Sequence, residues 1–290
     1  MRLSTYEKSK PRRYRKNCCG EGVREGKYKD CVWNYSHCEI RKEIVETSMR
    51  RDTVQIKICG LQREEDIRIV NEVLPEYAGF ILAEGRRRTV TPEKMAELAA
   101  GLDRRILRVA VFLDQDPEWI CSLANQGLMD VIQLHGSENV DMIRFIQKRT
   151  GKKVIKALRV DIPEDMKTTA SRSSEEAGYA ARNPSAQEQA EELARCAETC
   201  PADLILLDHG AGGSGEVFDW SLTAGIRRDF MLAGGLTPEN VREAIDMAHP
   251  AAVDVSSGVE TDHVKDAARV KQFVKAVRES AGSVTVQKQG

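Results

Sequence analysis

The chain has 290 residues, 41% of them hydrophobic and 31% charged, with a formal net charge of −1 at pH 7. That composition suits one large globular domain with an extension, or two small domains. The near-neutral charge offers no field to draw nucleic acid or an acidic partner. No apolar run approaches the ~20 residues that span a bilayer, and the basic N-terminus lacks the apolar core of a secretory signal. Eight cysteines are too sparse for a disulfide scaffold at this length. Cys59 and Cys121 fall within regular elements, which places the chain in a reducing cytoplasm.

Residues 1–52 stand apart. They hold fourteen Lys and Arg against eight Asp and Glu, about +6, while the remainder is about −7. No helical or strand period runs through them. Cys18, Cys19, Cys31, His37 and Cys38 invite a zinc reading. Their spacing argues against it, because adjacent cysteines are not a C-x-x-C knuckle and Cys31 and Cys38 form no regular second pair. The expectation is a disordered basic extension, or upstream residues preceding a natural start at Met49.

From residue 54 strands and helices alternate. Residues 54–60 (V-Q-I-K-I-C-G) alternate apolar and polar and end on Cys59 and Gly60; a helix opens at Arg63-Glu64-Glu65-Asp66. A strand at 78–83 is followed by Arg86-Arg87-Arg88, and Thr91-Pro92-Glu93 opens a helix with Thr as cap and Pro in the first turn. A strand at 107–113 precedes Asp116-Pro117-Glu118, a second start of that kind. Strands follow at 131–134, before His135-Gly136-Ser137-Glu138 and a helix to about 149, and at 154–158. A long loop at about 161–188 leads to a helix at 187–195. Strands at 204–207, 230–233 and 252–255 end at Asp208, at Gly234-Gly235 and at Ser256-Ser257-Gly258. Thr237-Pro238-Glu239 opens a helix, and an amphipathic helix from Val264 to about 278 closes the pattern. Eight strands, nearly all followed by helices, predict a (β/α)8 TIM barrel over 53–282 with a C-terminal tail at 283–290. The long loop falls on the barrel's C-terminal face and is read as decoration rather than a lid. No G-x-G-x-x-G follows the first strand, which argues against a dinucleotide site.

In such a barrel the strand ends carry the chemistry. Cys59 on the first strand and Asp208 on the sixth then point into one mouth, where a thiolate can take a proton from carbon and a carboxylic acid can protonate an oxygen. Cys59 must then be partly ionised by positive surroundings, and Asp208 must be kept protonated. The glycine-rich turns after the seventh and eighth strands can converge backbone N–H groups on a phosphate, with Gly212-Gly213-Ser214-Gly215 a further loop. The residues themselves thus imply a phosphorylated small metabolite.

The motifs K-I-C-G (57–60), R-x-V (88–90), Q-L-H-G (133–136), L-L-D (206–208), F-D-W (218–220), L-A-G-G-L-T-P-E-N-V (232–241) and V-D-V-S-S-G-V-E (253–260) resemble those of the phosphoribosylanthranilate isomerase family. The resemblance runs from about 54 to 279. It implies an Amadori rearrangement of N-(5-phosphoribosyl)anthranilate in tryptophan biosynthesis, with Asp208 as general acid at the furanose oxygen and Cys59 as general base at C2. It implies Arg88 at the anthranilate carboxylate, and Gly234, Gly235, Ser257 and Gly258 at the phosphate. No metal or organic cofactor is implied, and the assembly would be a monomer or homodimer. Ala83-Glu84-Gly85-Arg86 departs from the family's usual A/Y-P-x-S run, which makes Arg86 and Arg87 alternatives to Arg88. His135 is read as a supporting residue, His209 as pointing away from the mouth, and Trp119 and Trp220 as packing. An indole-glycerol-phosphate synthase would want a lysine–glutamate set that is not found, and a histidine-pathway isomerase an Asp at position 59. A binding protein built on the Cys/His extension is the reading from a different class, and intact Cys59 and Asp208 argue against it.

Overall fold

The computed structural model describes residues 53–160, 185–209 and 218–284. The extension at 1–52, with its Cys and His residues, lies outside the described residues. So do most of the 161–188 loop, the 212–215 glycine run and the tail beyond 284.

The eight predicted strands are present and close into one parallel barrel in the order β1 to β8. They are β1 Gln55–Cys59, β2 Tyr77–Ile81, β3 Leu107–Phe112, β4 Val131–Leu134, β5 Lys153–Val160, β6 Leu204–His209, β7 Phe230–Leu232 and β8 Ala252–Val255. The seam is β1 on β8, with Gln55 to Ile58 in register with Ala252 to Val255. The helices are α1 Glu64–Val73, α2 Pro92–Ala100, α3 Pro117–Asn125, α4 Val140–Thr150, α5 Ala186–Thr199, α6 Val241–Ala248 and α7 Ala267–Val284. Among the described residues, a 3-10 turn at Trp220–Thr223 stands where a helix would follow β6. No described helix is long and apolar enough to cross a membrane.

Local chemistry sets the helix starts. Thr91 accepts from the Lys94 amide and Asp116 from that of Glu118, each ahead of a proline in the first turn. Ser185 and Glu188 satisfy each other's backbone N–H and start α5. Two starts differ from expectation. After Thr237-Pro238 the chain makes a turn, because the Asn240 side chain folds back to accept from the Thr237 amide, so α6 begins at Val241. The closing helix begins at Ala267, not Val264, because Asp266 accepts from the amides of Ala268 and Arg269. Val264–Lys265 instead pairs antiparallel with Glu260–Thr261 in a small ribbon, β9 and β10.

The alternation in β1 predicted one buried face, yet all five residues are buried. Helices cover the outer face and the lumen takes the inner one. Ile56 and Ile58 join the large core under the helices. Gln55 and Lys57 face the lumen, where the Tyr77 hydroxyl donates to Gln55 at 2.8 Å and Lys57 Nζ lies 2.8 Å from Asp254 Oδ2. The lower lumen is apolar, filled by Tyr77, Leu107, Val131, Leu204 and Met231 among others. Its upper end is polar.

Lys57 is fully buried. Burial opposes its charge, but Asp254 outweighs burial and holds the ammonium above its ordinary range. Removing one partner of such a pair strands the other. Lys57→Met should therefore cost about 3–5 kcal/mol in urea denaturation, and pairing it with Asp254→Leu should recover most of that loss.

Candidate active site

Cys59 and Asp208 end β1 and β6, and both line one cavity of about 370 Å³ at the C-terminal ends of the strands. The expectation that the two share a mouth holds in this structure. Each is only 6% exposed. Gly79 on β2 gives the thiol its room, since a Cβ there would come within 2.7 Å of Cys59 Sγ.

Asp208 Oδ2 lies 3.0 Å from His135 Nε2, and His135 Nδ1 lies 3.0 Å from Gln133 Nε2. The Gln133 amide donates to Nδ1, so the imidazole carries its proton on Nε2 and donates to Asp208. Oδ1 of Asp208 takes no part in that hydrogen bond. Oδ1 faces Gly234, whose φ of +83° and whose neighbours both demand glycine; a Cβ there would come within 2.8 Å of the His209 amide and 3.1 Å of Oδ1. His135 thus supports Asp208, as expected. His209 is turned away from the cavity, with Nδ1 on the Val160 carbonyl. Trp220 is buried, and Trp119 packs edge-on against Phe112.

The cavity's β7–β8 side is made of backbone. Gly234, Gly235, Ser257 and Gly258 all line it. Among the described residues their N–H groups donate to no backbone carbonyl. Arg269 on α7 donates from Nε and Nη2 to the Gly258 carbonyl and ties the second loop down from behind. Such a nest of free N–H groups suits a phosphate.

Arg88 lines the cavity and is 8% exposed, but its guanidinium is already engaged. Nε and Nη2 lie 2.6 and 2.7 Å from the two oxygens of Glu260. Glu260 also receives Arg87 at 2.9 Å and Lys265 at 2.9 Å. Nε and one N–H of Nη2 are thus spent on Glu260, while Nη1 takes no part in the pairing.

A family model described as N-(5'-phosphoribosyl)anthranilate (PRA) isomerase matches residues 56–179 and 181–276. A curated N-(5'-phosphoribosyl)anthranilate isomerase of Clostridium kluyveri is 35% identical over 227 residues, 78% of this chain and 98% of its own. That of Acetivibrio thermocellus is 36% identical over 236 residues, with 79% and 98% covered. The Thermotoga maritima enzyme's crystal structure aligns at 33% identity and a TM-score of 0.62, covering 78% of this chain and 100% of that one. A phosphoribosyl anthranilate isomerase in complex with reduced 1-(o-carboxyphenylamino)-1-deoxyribulose 5-phosphate aligns at 32% and 0.60, with 78% and 100% covered. The chain belongs to this isomerase family.

Several polar residues of this isomerase-family site carried no expectation. Lys57 and Asp254 could have been found from period two, since they stand two residues before Cys59 and Ser256 and so share their faces. The Glu260 pairings span 172 residues of sequence to Arg88, and nothing local announces them. Asp254 also lines the cavity, and its Oδ1 is buried without a hydrogen-bond partner among the described residues.

The charge around Cys59 matches half of its expectation. Burial pushes the thiol up, and the Lys57 ammonium and Lys265 pull it back without overcoming burial. The balance leaves the thiol above its ordinary range. Glu260 shows the opposite balance. Burial would raise its carboxyl, but Arg88 and Lys265 hold it down at about 2. The folded value lies below the unfolded ~4.3, so this stabilisation is present above that value and lost as pH falls toward about 2. Melting temperature should therefore decline between about pH 4.5 and 2, and Glu260→Gln should flatten that part of the curve.

Proposed function

We infer that the chain converts N-(5'-phosphoribosyl)anthranilate to 1-(o-carboxyphenylamino)-1-deoxyribulose 5-phosphate in tryptophan biosynthesis, by general acid–base catalysis with its own side chains. The observation that carries the reading is the shared cavity. Cys59 and Asp208 line it from opposite parts of the ring of strands, and free backbone N–H groups line its β7–β8 side.

With the phosphate on the amides of Gly234, Gly235, Ser257 and Gly258, the ribose lies between Cys59 and Asp208. Asp208 gives its proton to the ring oxygen. The C1–O bond breaks, and the nitrogen lone pair closes a C=N bond to C1. Cys59 as thiolate then takes the proton from C2, which the adjacent iminium has made acidic. The electrons form a C1=C2 enolamine, and ketonisation returns a proton at C1 and removes one from the C2 hydroxyl. No redox partner enters, since the steps only relocate protons and electron pairs within the substrate. Asp254 Oδ1, lacking a partner, is placed to accept from the substrate N–H and to favour the iminium charge. Lys57 favours the thiolate, and the His135 N–H steers the Asp208 proton to the oxygen that faces the sugar.

With freshly generated phosphoribosylanthranilate, turnover followed as loss of fluorescence should be present in the native chain. Cys59→Ala and Asp208→Asn should each lower kcat at least about 100-fold, with melting temperature little changed. Full turnover in both variants would sink these roles.

A further inference from the structure

Glu138 and Lys156 form an ion pair of 3.0 Å with both side chains buried. Neither lines the cavity that holds Cys59 and Asp208. Lys156 is on β5, where Ile155 and Ala157 face the lumen and Val154 and Val160 join the core under the helices. Alternation puts Lys156 with the second set, so its cation sits in the apolar layer between strands and helices. A buried pair gains little there over an apolar filling, so its use lies in what it holds.

It holds Gly136 by both backbone groups. Glu138 Oε2 accepts from the Gly136 amide at 2.9 Å, and Lys156 Nζ donates to the Gly136 carbonyl at 2.6 Å. Glu138 Oε1 accepts from the amide of Asp114, after β3, at 3.0 Å. Asp114 Oδ1 in turn accepts from the Ser137 amide and hydroxyl at 2.6 and 2.8 Å. The fit is close, since a Cβ on Gly136 would overlap the Asp114 carboxylate. The ends of β3, β4 and β5 are thus drawn together on the residue that follows His135. The His135 amide donates to the Phe112 carbonyl at 2.8 Å, so its backbone is held on the near side by β3 and on the far side by the ion pair. The ring's bonds to Gln133 and Asp208 are each 3.0 Å long. A backbone shift of about 1 Å at 135–136 would carry the second past hydrogen-bond range.

We propose that Glu138 and Lys156 are positioning residues that hold His135 on Asp208, and so orient the general acid from outside the cavity. This rests on the isomerase reading above.

The test is steady-state kinetics and imidazole nitrogen NMR on the full chain. Glu138→Gln should lower kcat for phosphoribosylanthranilate about 10- to 100-fold, the size of a misplacement of about 1 Å, with KM within a few-fold. Glu138→Leu combined with Lys156→Met strands no charge. It should recover the melting temperature that a single change loses, yet keep the low kcat, because Gly136 is still released. In a His135→Asn background, Glu138→Gln should lower kcat no further. The His135 signals, assigned by their loss in His135→Asn, should show the Nε2–H tautomer in the native chain and a mixture of tautomers in the apolar pair. A kcat that recovers together with the melting temperature would overturn the proposal, as would losses that multiply with His135→Asn, or an imidazole spectrum unchanged in the apolar pair. Any of these beside native turnover sinks this proposal alone. No turnover in the native chain sinks the isomerase reading, and the imidazole spectrum then decides by itself whether the pair positions His135.

Discussion

The ammonium of Lys57 lies inside the barrel, fully buried, 2.8 Å from Asp254. An isolated charge there is untenable, and even a paired one gains little net stability over an apolar filling. The rest of the lumen shows what that filling looks like, with Tyr77, Leu107, Val131 and Met231 below. The pair therefore matters for where it puts charge. It bridges the β1–β8 seam, which closes the ring, and it sits one inward position below Cys59. The backbone ladder closes the seam, and the ion pair adds a charge beneath the thiol, so breaking one partner there strands the other inside the barrel.

Glu260 plays the corresponding part at the rim. A single buried carboxylate holds Arg87, Arg88 and Lys265 together, and it stays ionised because the cations outweigh its burial. Lys265 in turn donates to the Ser256 carbonyl, and the Ser256 hydroxyl donates to the carbonyl of Cys59. The loop after β8 is thus tied to the end of β1 through charge, and the Arg269 hold on Gly258 ties it to α7. These connections hold the loop after β8 in place beside the cavity.

The fold was legible because barrel strands carry strong local signals. Apolar runs such as 107–113 and the Thr-Pro-Glu and Asp-Pro-Glu starts report themselves without tertiary information. The misses were of two kinds. At Val264 an apolar residue in helical phase belongs to a ribbon, because the Asp266 cap decides the start and period alone does not see caps. At Lys57 the alternation gives no sign of burial, because a barrel buries both faces and a lumen can hold charge. That Cys59, Asp208 and the glycine turns line one cavity was legible because a parallel barrel brings its strand ends to one mouth. The Arg88–Glu260 pairing was not, because it depends on two segments meeting across most of the chain.

The protonation of the mouth follows from these placements. The proposed reaction asks for a thiolate at Cys59. Burial works against that by pushing the thiol up. A sugar filling the cavity excludes water, and exclusion strengthens the attraction between the Lys57 ammonium and a thiolate. It equally strengthens the interaction of Asp254 with an iminium. In the proposed reaction Lys57 and Asp254 would act on successive charges, the first on the base and the second on the intermediate that the base deprotonates. A neutral filling of the upper lumen would pack as well, but it would favour neither charge.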